Sequence, residues 1–169
     1  FGKNATVVSS DKGLESIVAE LLLKKNLTIA TAESCTGGML AAKLIDYPGI
    51  SEVYREGFVT YTEESKEKRL GVDANTLDKY GVVSEEVAKE MAKGVSVVAG
   101  TDIGVGITGL AGPSGGTEQT PVGTVYIAIY DRGGYFVKKM NRFASRDVIR
   151  ERAVIIALDE LRRILLQKA

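Results

Sequence analysis

Apolar positions along this chain recur at two spacings, and the alternation between them outlines the fold. Leu14, Ile17, Val18, Leu21 and Leu22 return every three or four residues, which predicts an amphipathic helix over 12–25 with Asp11 as its cap. The run 27–32 is short, apolar and partly β-branched, and reads as a strand. A helix over 36–46 follows, ended by the turn cluster Asp46-Tyr47-Pro48-Gly49. Val53, Phe58, Val59, Thr60 and Tyr61 mark a second strand over 53–61. Thr62 can cap a short helix with Glu63 and Glu64 in its first turn, where carboxylates suit the positive end of the dipole, and Lys66 lies one turn in. Leu70-Gly71-Val72 breaks that helix, and 75–80 forms another short one. Ser84 caps a longer helix whose inward face is Val87, Ala88, Met91, Ala92, Val95 and Val98. A strand over 102–109 leads into the most glycine-rich passage, 109–117. The segments 122–130 and 135–143 form a hairpin turned by Asp131-Arg132-Gly133-Gly134. The last helix, 146–167, carries Val148, Ile149, Ile156, Leu161 and Leu165 on its inner face.

Helices alternating with strands, followed by a late hairpin, predict a three-layer α/β/α sandwich with a mixed sheet of about five or six strands. No internal repeat or linker interrupts 11–169, which is read as a single domain. The stretch 1–10 has no clear period and is read as a lead-in or residual linker. Because the first residue is Phe1, the chain is expected to be trimmed or part of a longer protein.

Composition narrows the chemistry. At 169 residues the chain can bury one real core, and 44% apolar with 26% charged residues is ordinary for a globular protein. Lysine plus arginine equals aspartate plus glutamate at 22 each, so the basic excess typical of nucleic-acid and membrane-surface binders is absent. No apolar run approaches the roughly 20 residues that span a bilayer, and nothing resembles a signal peptide. A cytoplasmic protein without membrane or nucleic-acid partners is expected. The single cysteine, Cys35, rules out an internal disulfide framework and a cysteine-cluster metal site, and the absence of histidine rules out a Ser-His-Asp triad, a Cys-His dyad and a histidine-based zinc site. A hydrolase built on this sequence needs lysine, glutamate, aspartate or tyrosine as its base.

The most suggestive stretch is Thr28-Ile29-Ala30-Thr31-Ala32-Glu33-Ser34-Cys35-Thr36-Gly37-Gly38, an apolar run that ends in small polar residues just before a helix. Such a junction sets a hydroxyl or thiol at the end of a sheet, with Thr36, Gly37 and Gly38 leading into free helix N–H groups where an anion can bind. Ser34 or Thr36 can equally be a plain N-cap. Cys35 can be a nucleophile or a small buried filler, since a thiol needs a cationic neighbour to ionise. Lys66 is the candidate base. An ordinary lysine is protonated at neutral pH, so this role requires burial, and an exposed lysine is the simpler reading. Gly104-Val105-Gly106-Ile107-Thr108-Gly109 matches GxGxxG, but inside a strand instead of opening a helix, which favours close backbone approach over dinucleotide binding. The loop carrying Gly112, Ser114 and Gly115 lacks a Walker ending; it is either a plain flexible loop or a phosphate or ribose contact through its N–H groups.

Taken together, Ala32-Glu33-Ser34-Cys35-Thr36-Gly37-Gly38, Gly57-Phe58-Val59-Thr60-Tyr61 with Lys66 and Leu70-Gly71-Val72, Thr108-Gly109-Leu110-Ala111-Gly112-Pro113-Ser114-Gly115-Gly116, and Pro121-Val122-Gly123-Thr124-Val125-Tyr126 resemble the C-terminal domain of CinA, the competence/damage-inducible protein. Stand-alone members of that family are nicotinamide-nucleotide amidases. The resemblance covers about 14–166. It implies hydrolysis of nicotinamide mononucleotide to nicotinate mononucleotide and ammonia, by a serine/lysine mechanism with no metal or cofactor. By position it makes Ser34 the nucleophile, Lys66 its base, Tyr61 a neighbour ordering the pair, Arg146 the holder of the anionic nucleotide, and Thr108 and Gly109 the substrate wall. N–H groups of the helix after Ser34 would stabilise the oxyanion. In full-length members of that family a nucleotide-pyrophosphatase-like domain precedes this one; the even charge balance and several apolar helices of the chain permit self-association, and a homo-oligomer is expected. Glu63 stands where the family often has asparagine. If Glu63 holds Lys66 protonated, the alternative is a nucleotide-binding or oligomerisation domain of a larger protein with little catalysis.

Overall fold

A computed structural model describes residues 12–168. The expected lead-in over 1–10 and the expected cap Asp11 lie outside the described residues. The element order is α1 (Leu14–Lys25), β1 (Ile29–Glu33), α2 (Met39–Ile45), a 3-10 turn at Ile50–Glu52, β2 (Tyr54–Val59), α3 (Glu63–Leu70), α4 (Ala74–Tyr80), α5 (Glu85–Ala99), β3 (Ile103–Gly109), β4 (Thr124–Asp131), β5 (Gly134–Asn141) and α6 (Arg146–Gln167). The five strands form one sheet in the order β2-β1-β3-β4-β5. β1 runs parallel to β2 and β3, while β4 runs antiparallel to both of its neighbours, β3 and β5, so the sheet is mixed as expected and has five strands.

Strand alternation divides the core. Ile29 on β1 and Ile103, Val105 and Ile107 on β3 pack with α1, α2 and α6 on one face. Ala30 and Ala32 point the other way and pack with Leu70, Leu77, Val87, Met91 and Val95 of α3, α4 and α5. Helices on both faces bury all five residues of β1.

The GxGxxG match is explained by this second face. A Cβ on Gly104 would collide with the Ala92 carbonyl, and one on Gly106 would lie 2.6 Å from the Ala92 nitrogen. The glycines let α5 lie directly on β3, and the close approach is to a helix.

One boundary and the facing of two valines differ from the expectation. The helix expected over 36–46 begins at Met39, because Gly37 and Gly38 take positive φ and Gly38 is the N-cap. Val98 on α5 and Val148 on α6, both expected inward, are exposed; on α5 Ser96 holds the inner side of the last turn, its hydroxyl donating to the Thr101 carbonyl at 2.7 Å. Among the described residues, no helix is long and apolar enough to cross a membrane.

Candidate active site

β1 leads to β2 on one side and its parallel neighbour β3 leads to β4 on the other, so the connections leaving the carboxyl ends of these two adjacent strands diverge. In open α/β sheets that divergence leaves a crevice outside the strand ends. Ser34 is the first residue past β1, its N–H donating to the Ile107 carbonyl at 3.0 Å, while the Thr60 N–H donates to the Glu33 carbonyl at 2.9 Å. The sheet register therefore sets Ser34 beside Thr60.

Lys66 comes to this point from α3. Thr62 caps that helix in a capping box with Ser65, which makes Lys66 the fourth residue of the helix. Leu70, four residues on, shares its buried face. The Lys66 side chain is fully buried. Its Nζ donates to the Thr60 carbonyl at 2.7 Å and to Ser34 Oγ at 3.2 Å. Burial lowers the Lys66 pKa from 10.5 to about 8, opposed by smaller contributions from Cys35 and then Glu63. The difference amounts to about 3 kcal/mol of bias against the ammonium. Burial likewise pushes the Cys35 thiol up to about 11, so at neutral pH it is uncharged. Glu63 is exposed and last among the influences on Lys66.

Ser34, with Lys66 buried behind it, faces a cavity of about 310 Å³ lined by Ser34, Cys35, Tyr61, Thr108, Gly109, Gly112, Ser114 and Arg146, with Val82, Val83, Leu110 and Ala111 supplying apolar wall. Arg146, the first residue of α6, donates through Nη1 to the Gly112 carbonyl at 2.7 Å and through Nη2 to the Tyr61 hydroxyl at 3.3 Å. Two of its five N–H donors are thus engaged at the rim. Tyr61 is 61% exposed and makes its hydrogen bond to Arg146; the group that fastens Lys66 is the Thr60 carbonyl. Thr108 is buried, its hydroxyl donating to the Val82 carbonyl at 2.8 Å, which leaves its backbone and methyl as wall. Thr36, Gly37, Gly38 and Gly115 lie outside the cavity lining.

The expected oxyanion donors need correction. The N–H groups at the start of α2 are occupied by the Glu33 carboxylate, which accepts from Gly38 at 3.2 Å, Leu40 at 3.1 Å and Ala41 at 2.9 Å. Nor does Ser34 cap the helix. Glu33 does so from the last position of β1, on the face opposite to Ser34.

Three contributors went unnoticed in the sequence. Glu33 had a legible signal, a carboxylate directly before a helix start. Arg150 had one too, four residues after Arg146 on the same helix; its guanidinium donates to the Cys35 and Thr36 carbonyls. Thr60 had none, since it acts through its backbone.

A mixed α/β domain with a buried serine–lysine pair at the divergence of its parallel strands is the class that fold and site define. The particular family follows from comparison: the CinA C-terminal domain profile matches residues 11–165, and the chain belongs to that family. A relative in Clostridium kluyveri, provisionally named a competence-damage inducible protein, is 53% identical over 156 residues, 92% of this chain and 38% of its own. A similarly named Clostridium botulinum protein is 56% identical over 155 residues, with the same coverage. The chain thus spans 38% of the length of these curated relatives. Among solved structures, a CinA superfamily protein from Klebsiella pneumoniae aligns with a TM-score of 0.87 at 38% identity, covering 90% of this chain and 96% of that one. A competence/damage inducible protein from Agrobacterium tumefaciens aligns at 0.85 and 37% identity, covering 95% and 100%.

Proposed function

We propose that this domain is a nicotinamide-nucleotide amidase, converting nicotinamide mononucleotide to nicotinate mononucleotide and ammonia. The observation that carries the reading is the fully buried Lys66 Nζ, 3.2 Å from Ser34 Oγ, with its pKa lowered to about 8. A neutral amine in that position can take the serine proton, the task histidine performs in other serine hydrolases.

In this mechanism Ser34 Oγ attacks the carboxamide carbon while its proton passes to Lys66. Collapse of the tetrahedral intermediate breaks the C–N bond, and Lys66 returns the proton to the departing ammonia. Water, deprotonated by the same amine, then attacks the acyl-enzyme, releasing the carboxylate and restoring Ser34. Throughout the cycle the Thr60 carbonyl holds the amine in place. Arg146 has N–H donors left over for the nucleotide phosphate, and the apolar wall of Val82, Val83 and Leu110 suits the pyridine ring.

The rival reading, a nucleotide-binding or oligomerisation domain without turnover, depends on Glu63 keeping Lys66 charged. Its exposure and its last place among the influences on Lys66 favour the amidase. Ammonia release from nicotinamide mononucleotide, measured against nicotinamide and glutamine, separates the two. Release from the nucleotide alone is expected, and it should vanish in folded Ser34→Ala and Lys66→Ala proteins. Nucleotide binding without ammonia at any pH would establish the rival, and turnover surviving in Ser34→Ala would sink the serine mechanism.

A further inference from the structure

The turn that carries Ser34 is fastened from two sides by charged groups. On one side Glu33 takes the three N–H groups at the start of α2. On the other, Arg150 Nε donates to the Cys35 carbonyl at 3.0 Å and Nη2 to the Thr36 carbonyl at 3.2 Å, a fork across two consecutive peptides. The acid nearest Arg150 is Asp147, 4.0 Å away and itself 85% exposed, so the guanidinium is committed to the turn and not to an ion pair. The Ser34 carbonyl accepts from the Gly37 N–H at 3.0 Å. Each carbonyl from Ser34 to Thr36 therefore has a donor.

The N–H groups of Cys35 and Thr36 donate to nothing among the described residues, although both residues are buried. Buried amides without an acceptor are rare and call for a reason. In a planar trans peptide the N–H points opposite to the carbonyl. Arg150 pulls the Cys35 carbonyl toward α6, which turns the Thr36 N–H away from α6; Gly37 does the same for the peptide that carries the Cys35 N–H. Cys35 lines the cavity directly after the nucleophile. The residue following a nucleophilic serine at a strand-turn-helix junction is a recurrent oxyanion donor.

We infer that Arg150 is a positioning residue, fixing the 35–36 peptide and with it the turn, so that the Cys35 N–H at the cavity wall receives the oxyanion formed by attack of Ser34. The inference rests on Ser34 being the nucleophile, but not on the identity of the substrate. It is therefore tested with two readouts on the parent, Arg150→Ala and Arg150→Lys. One is ammonia release from nicotinamide mononucleotide. The other is the rate at which an alkyl fluorophosphonate labels Ser34, a reaction in which Oγ bonds to phosphorus, fluoride leaves and the serine proton goes to Lys66.

A misplaced donor turn should lower kcat about 100-fold, with KM within about threefold of the parent. Labelling should slow by a similar factor. Arg150→Lys, which keeps the cation but lacks the fork, should be nearly as slow, while added methylguanidinium should restore part of the rate of Arg150→Ala. The inference is overturned if Arg150→Lys matches the parent in both assays. It is also overturned if Arg150→Ala raises KM at unchanged kcat, which would make Arg150 a substrate contact. A parent that is labelled at Ser34 yet releases no ammonia refutes the amidase reading and leaves the labelling rates to decide on Arg150. A parent that neither labels nor turns over refutes both.

Discussion

Replacing Lys66 with methionine should stabilise the domain at neutral pH and destabilise it at pH 10. The side chain is fully buried, and its folded pKa of about 8 lies below the ordinary 10.5. Below pH 8 the amine is protonated in both folded and unfolded chains, and the folded state bears the whole desolvation cost, about 3 kcal/mol. Between pH 8 and 10.5 the unfolded chain binds the extra proton, so parental stability rises with pH. By pH 10 the remaining cost is about 1 kcal/mol. Methionine has a similar length and no charge, but it leaves the Thr60 carbonyl without its 2.7 Å donor, a loss of about 1–3 kcal/mol at any pH. The net gain at pH 7 is thus about 1 kcal/mol, and the difference between the two proteins should move by about 2.5 kcal/mol against the variant from pH 7 to 10. Comparing the two proteins at each pH removes what groups remote from Lys66 contribute to both. Urea unfolding of parent and variant at pH 7, 8, 9 and 10 measures it. A difference independent of pH would refute the argument, because it would mean that Lys66 titrates alike in the folded and unfolded chains.

The same pKa of about 8 sets the rate profile: kcat/KM for ammonia release should climb with pH through neutrality and level off above about pH 8, as Lys66 loses its proton. A profile flat from pH 6 to 9 would exclude Lys66 as the base. Gly106→Ala should destabilise the domain by about 1–3 kcal/mol in urea unfolding, because its Cβ would meet the Ala88 carbonyl and the Ala92 nitrogen of α5. An unchanged urea midpoint would show that α5 can shift away without cost.

The elements were legible wherever hydrophobic spacing was regular. Leu14 to Leu22 announced α1, and Asp131 to Gly134 announced the hairpin between β4 and β5. α3 was harder, since Glu63 to Arg69 is polar throughout and nothing apolar but Leu70 reveals which side faces inward. Lys66 and Lys68 look equivalent in such a run; the four-residue spacing to Leu70 was the available clue that Lys66 turns in. Period also could not say what the strand glycines approach, because that depends on where α5 crosses the sheet. The start of α2 was misplaced because Thr36 caps helices well in general, whereas here Gly37 and Gly38 take positive φ and delay the helix to Met39.

That delay bears directly on the chemistry. Adjacent residues at the end of a strand point to opposite faces of the sheet, so Glu33 and Ser34 are sent to different tasks by parity alone. Glu33 turns toward α2 and absorbs its free N–H groups. Ser34 turns toward α3 and meets Lys66. Had the helix begun directly after Ser34, its hydroxyl would have been drawn into capping, accepting from backbone N–H groups with its lone pairs turned away from a substrate carbon. Four intervening residues let the carboxylate take the capping role while the hydroxyl keeps a single amine as partner. A one-residue slip of β1 against β3 would exchange the two, setting a carboxylate beside Lys66 and holding it charged. The register Glu33 to Ile107 is therefore as much a condition of the proposed catalysis as the serine and the lysine themselves.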